Sequence, residues 1–108
     1  MECVLIKDII YLESEGAYTN IFFERDEIAS RQLCRNIGVF AERLMDMGFL
    51  RCHRSYLINP YKVIHFCSKT RFIFLRYAKL RASVRHAVEI FPVLLEKGIK
   101  DISNQEHL

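Results

Sequence analysis

The chain has only four glycines, at positions 16, 38, 48 and 98, and their spacing matches neither GxxxxGK nor GxGxxG, which argues against a glycine-built phosphate cradle. No apolar run approaches the ~18 to 20 residues of a membrane span. At the N-terminus, Glu2 and Asp8 occupy the places where a signal peptide carries its basic flank and apolar core. A soluble, cytoplasmic protein without membrane insertion is therefore expected. The four cysteines, Cys3, Cys34, Cys52 and Cys67, contain no CxxC pair, so reduced thiols are expected in place of a zinc ribbon or redox centre. Linkers, internal repeats and low-complexity tracts are also absent.

The most informative absence is of negative charge. Between Met47 and Val88 there is no Asp or Glu, whereas the same 42 residues hold nine Lys and Arg. Residues 1 to 50 balance to −4 and residues 89 to 108 to −2, so the net charge of +3 conceals the segregation. A one-signed surface attracts a polyanion. The cations Arg51, Arg54, Lys62, Lys69, Arg71, Arg76, Lys79, Arg81 and Arg85 are interleaved with Tyr56, Tyr61, Phe66, Phe72, Phe74 and Tyr77, a mixture suited to nucleic acid. The plainer alternative is a strand-rich segment with a basic solvent face.

A length of 108 residues predicts one domain, 1–108, able to fold without metal or disulfide. Residues 3 to 13 and 17 to 24 are rich in β-branched and aromatic side chains and flank Ser14, Glu15 and Gly16, which predicts a hairpin; a short strand follows near 27 to 31. Leu33, Ile37, Phe40 and Leu44 step by 4, 3 and 4, predicting a helix over 33–46 stopped by Gly48, with Met45 and Met47 as core filler. Short strands are expected at 49–53, 56–58, 62–67, 71–76 and 79–83. Val84, Val88, Phe91 and Leu95 predict a second amphipathic helix that Pro92 ends or kinks near Phe91. From Gly98 onward a frayed tail is expected.

No catalytic or metal constellation emerges. Cys52, His53, His65 and Cys67 invite a four-ligand reading, but adjacent strand residues point to opposite faces and cannot both reach one ion easily. Beside His53 and Arg54, Cys52 has either a thiolate-favouring setting or the burial of a small hydrophobe. His53 and Ser55 lack a carboxylate within the basic block to orient the imidazole, so an enzyme is not expected, nor is a cofactor.

The segments DIIYLES (8 to 14), FLRCHRSYLINPYKV (49 to 63) and KLRASVRHAVEI (79 to 90), with a helix between the first two, resemble the LytTR family of bacterial DNA-binding domains, especially its AgrA-like members. The resemblance spans nearly the whole chain. It implies a mainly β fold of small stacked sheets with one or two short helices, reading the DNA major groove with three loops. Carried over by position, the readers are Arg54 and Arg85, with Thr19 in the first loop and Tyr18 and Asn20 beside it, where AgrA-like members carry histidine. An arginine fork suits O6 and N7 of guanine. His53, Ser55, Arg71 and Ser83 are then expected near phosphates, which fix register without reading sequence. Each has a plainer role: surface charge for the arginines, backbone bonding at turns for the serines, an internal histidine for His53.

Family regulators commonly carry a phosphate-accepting receiver domain ahead of this part, and with Met1 this close to the first matching segment none is expected here. The opening strand of the family fold is likewise expected to be missing, leaving an exposed sheet edge open to a homodimer partner. The leading expectation is a transcription regulator on repeated promoter sites in double-stranded DNA. The alternative is a protein-interaction module that titrates a full-length regulator or pairs with a membrane-bound inhibitor.

Overall fold

The computed structural model describes residues 4–104, so Cys3, the start of the first expected strand and the last four residues of the expected tail lie outside the described residues. Two antiparallel hairpin systems dominate. Strands β1 (Ile9–Glu15), β2 (Tyr18–Glu24) and β3 (Ile28–Leu33) lead to helix α1 (Ile37–Met45), and β4 (Leu50–His53) and β5 (Tyr56–Ile58) then join the same sheet in the order β3-β2-β1-β5-β4. Strands β6 (Val63–Cys67), β7 (Phe72–Leu75) and β8 (Ala78–Arg81) build a second sheet, followed by helix α2 (Val84–Glu96) and the two-residue β9 (Lys100–Asp101). Its order is β8-β7-β6-β9, with β9 parallel to β6. The fold is thus the expected mainly β one with two short helices.

Covering the first sheet on both faces explains its sequence. Ile9, Ile10, Tyr11 and Leu12 are all buried, without the alternation of a half-exposed strand. Ile9, Leu12, Ile21 and Leu57 pack with Ile37, Ala41, Leu44 and Phe49 on the α1 side. Ile10, Tyr11, Cys52 and Ile58 pack on the other side with Phe66, Ile73 and Leu80 of the second sheet and with Ala87, Ile90, Phe91 and Leu94 of α2. Phe66 and Phe91 stack with ring centroids 4.6 Å apart, joining α2 to the sheet. Because β1 is paired on both sides, the open edges of the first sheet are β3 and β4.

Several boundaries differ from expectation. Residues 6–8 form a 3-10 turn instead of the start of β1. Gly16, at φ +62°, opens a two-residue turn with Ala17, so Ser14 and Glu15 remain in the strand. Leu33 belongs to β3, and α1 starts four residues later. Met45 and Met47 are exposed, not core filler, whereas Gly48 at φ +100° makes the expected reversal. Helix α2 buries Ala87, Ile90, Phe91 and Leu94, leaving Val84, Val88 and Leu95 exposed, and it runs on past Pro92 to Glu96. Pro92 faces solvent, where water can serve the Val88 carbonyl that the ring leaves unbonded.

The tail is also more ordered than expected as far as residue 104. His65 pairs with Lys100, and the Ile102 N–H donates to the Phe66 carbonyl at 2.8 Å. Asp101 fastens this segment: its carboxylate accepts the backbone N–H groups of Ser68 and Ser103, both at 3.0 Å.

Candidate nucleic-acid interface

The first turn of α2 and the β4–β5 turn meet at a cleft of about 620 Å³. Arg54, Arg85, His53 and Ser83 all line it, so four of the expected site residues converge, together with Arg51, His86, Glu89 and Met45. The convergence is built by backbone bonds. Ser83 N–H donates to the Cys52 carbonyl at 2.9 Å, tying the head of α2 to β4. Ala82 N–H donates to the Arg71 carbonyl at 2.9 Å, and Arg71 Nε returns a bond to the Ala82 carbonyl at 3.1 Å.

Arginines here divide by task. Arg51 donates through Nε to the His53 carbonyl at 3.3 Å and through Nη2 to the Arg54 carbonyl, bracing the turn from beneath. The guanidinium groups of Arg54 and Arg85, both exposed residues, have no hydrogen-bond or ion-pair partner among the described residues. Two free guanidinium forks beside the positive end of a helix form a concave, cationic surface that suits phosphate or base acceptors.

The remaining expected residues occupy mixed positions. His53 Nδ1 accepts the Ser55 N–H at 3.1 Å, which puts the ring proton of the neutral form on Nε2. Ser55 lies at a seam, its carbonyl accepting the Ser14 N–H at 2.8 Å and so joining the β1–β2 hairpin to the β4–β5 turn. Ser83 caps α2, its hydroxyl oxygen accepting the His86 N–H at 3.2 Å. Arg71 sits at φ +65° below the start of α2, a left-handed conformation held by its own N–H bond to the Cys67 carbonyl at 2.8 Å.

Thr19 is a correction. Its side chain is 0 % exposed and the hydroxyl donates to the Arg35 carbonyl at 2.7 Å, so it is an internal group unable to meet a base. Asn20 is engaged as well: Nδ2 donates to Glu15 at 2.6 Å, and Oδ1 accepts from Gln32 at 2.9 Å. Of the three residues expected in this loop, Tyr18 alone is exposed, at 44 %.

The acid-free stretch also splits between faces. Lys79 and Arg81 lie over Phe72 on the outer side of the second sheet, at 4.4 and 5.6 Å from the ring centroid. Arg76 pairs with Glu24 at 3.0 Å. Cys52 is fully buried and burial pushes its thiol up to about 12, so the small-hydrophobe reading holds. No helix of the described residues is long and apolar enough to cross a membrane.

His86 and Glu89 were not singled out from sequence. Their signal was there: Ser83 at the cap and Arg85, His86 and Glu89 in the first two turns place three ionisable side chains at one end of α2. Burial and then the neighbouring Arg85 lower the pKa of His86, and Arg51 and His53 act in the same direction against the pull of Glu89.

Comparison with known proteins bears on this arrangement. The sequence matches the family described as LytTr DNA-binding domain over residues 1–94. The transcriptional regulatory protein NatR of Bacillus subtilis (strain 168) is 35% identical over 68 residues, which is 63% of this chain and 28% of NatR. The chain thus matches little more than a quarter of that relative's length. Among solved structures, the LytTr DNA-binding domain of a putative methyl-accepting/DNA response regulator from Bacillus cereus superposes with a TM-score of 0.72 at 22% identity, covering 85% of this chain and 84% of that one. At that identity the likeness speaks to the fold.

Proposed function

Since this chain belongs to the LytTr DNA-binding domain family, we propose that it is a sequence-specific transcription regulator that seats the cleft at the head of α2 on the major groove and reads bases with Arg54 and Arg85. The observation that carries this reading is the pairing of those two unpartnered guanidinium groups in one cleft, at the positions where the family resemblance puts its readers. Each bidentate contact to guanine is worth about 1 to 3 kcal/mol of discrimination. Ser83, His53 and the backbone at the start of α2 would hold phosphates. A regulatory role accords with the name of the NatR relative. Repeated sites in successive major grooves and DNA bending belong to the same proposal, as does a cytoplasmic location.

Selection from a random-sequence duplex library with the purified chain tests it. The expected result is an enriched motif with two separated guanine positions, one lost with Arg54→Ala and the other with Arg85→Ala. Enrichment no greater than for non-specific binding would retire the proposal. A second reading, that of an interaction module binding another regulator, is favoured by one observation: Thr19 is buried and Asn20 is bound to Glu15, so the first family loop offers little to DNA. Failed selection together with a stable complex with a full-length family regulator would favour it.

A further inference from the structure

His86 lines the cleft between the two proposed readers, and its only side-chain partner among the described residues is Ser83, with Oγ 2.6 Å from Nδ1. The groups facing it are Arg85 and Glu89 from α2, Arg51 and His53 from β4, and Arg54 from the turn. We propose that His86 is a phosphate-binding residue that becomes charged as DNA enters the cleft, so that the domain takes up one proton from solvent on binding. This rests on the reading of the cleft as a DNA site.

In the free protein, cations on both sides oppose a further positive charge on the ring. The neutral form is therefore favoured at pH 7. In that form, with the proton on Nε2, Nδ1 accepts the hydroxyl proton of Ser83, whose oxygen is already accepting the His86 N–H. A duplex backbone brings a high density of negative charge into the same space and reverses the field.

The proton added to Nδ1 then donates to Ser83 Oγ, and the hydroxyl hydrogen that had pointed at the ring is released. One proton from solvent therefore leaves two donors for the anion, the Nε2–H of the imidazolium and the O–H of Ser83. A group that is neutral when free and charged when bound avoids stacking another cation in an already cationic cleft. It adds that charge only when a polyanion is present.

The sign follows. Binding raises the pKa of His86, so affinity grows as the pH falls through the bound-state value and levels off below the free-state value, with a limiting slope of about one decade per pH unit for one proton. The test is fluorescence anisotropy of a selected duplex between pH 6.0 and 8.0 at constant salt, comparing the full chain with His86→Gln and with His65→Gln, a histidine of β6 outside the cleft. The expected result is roughly tenfold tighter binding at the acidic end for the wild type and for His65→Gln, and a distinctly shallower profile for His86→Gln. Proton NMR gives a second readout, in which the titration midpoint of the His86 ring moves up when duplex is added. Equal slopes in wild type and His86→Gln, or an unmoved midpoint, with duplex still bound, would overturn this inference alone. Failure to bind any duplex would overturn the DNA reading and this inference with it.

Discussion

Ser83 donates its backbone N–H to the carbonyl of Cys52 at 2.9 Å, and through that one bond two distant loops become a single surface. Arg54 lies two residues beyond Cys52 and Arg85 two residues beyond Ser83, so the spacing of the proposed readers is set by main chain, not by their own side chains. The Arg71–Ala82 pair of bonds fixes the same joint from the other side.

Replacing Arg54 or Arg85 by Ala should leave stability within about 0.5 kcal/mol of wild type, because neither guanidinium has a partner among the described residues and the bond to the Arg54 carbonyl survives the change. Replacing Arg71 by Ala should cost about 1 to 3 kcal/mol, since its charged Nε–H serves the buried Ala82 carbonyl. DNA binding by Arg71→Ala should weaken for all sequences alike. Thermal melts and binding to matched and mismatched duplexes check this division, and identical profiles for the three variants would refute it.

The salt dependence of binding should be moderate. Arg76, Lys79 and Arg81 are paired or lie on the outer sheet face, which leaves six of the nine cations in the acid-free stretch, with Arg51 and Arg71 partly engaged internally. If roughly four meet phosphates, a log–log plot of affinity against salt should have a slope of roughly −3 to −4. A slope near zero would remove the electrostatic account.

Phe66 is fully buried and stacked on Phe91, at the contact that joins α2 to the second sheet. Phe66→Ala should destabilise the domain by about 3 to 5 kcal/mol. The loss should appear in urea unfolding, and the orientation of α2 should loosen with it. Phe66→Leu, which keeps most of the volume, should recover a large part of the stability.

Acid should release the β9 latch. Burial pushes the Asp101 carboxyl upward, but hydrogen bonds from Ser68 and Ser103 outweigh it and hold the pKa below the ordinary carboxylate value. A depressed folded-state pKa means stability that is present above the unfolded value and lost as the pH falls through the folded one. The protection factor of the Ile102 N–H, its exchange rate relative to the intrinsic rate at the same pH, should therefore fall below about pH 4. Asp101→Asn should show weak protection there already at neutral pH, and an unchanged Ile102 rate in that variant would sink the assignment.

What could be read in advance depended on how many faces of an element were covered. The β1–β2 hairpin was legible because Gly16 and the flanking β-branched residues leave few alternatives. Helix α2 lies where its periodicity predicts but buries a different face: 84, 88, 91, 95 and 87, 90, 91, 94 both keep helical spacing, and packing against Phe66 selects the second. Strand β9 carries no pattern of its own, being two residues held by Asp101 and a parallel partner. Arg54, Arg85 and Ser83, from two separate motifs, line one cleft. Thr19 is buried instead, its hydroxyl bonded to the carbonyl of Arg35, 16 residues away in sequence, a contact no local pattern announces.

The brace beneath the β4–β5 turn has a consequence for how such a domain can diverge. Arg51 holds that turn through the carbonyl oxygens of residues 53 and 54, atoms that every amino acid supplies. The side chain at 54 therefore contributes nothing to the loop that carries it. On the proposed reading, a lineage can exchange that residue for another, shifting which operators it recognises, without passing through a poorly folded ancestor. Arg51, Arg71 and Ser83 have no such freedom, so drift in target choice should concentrate at 54 and 85 while the frame around them stays fixed.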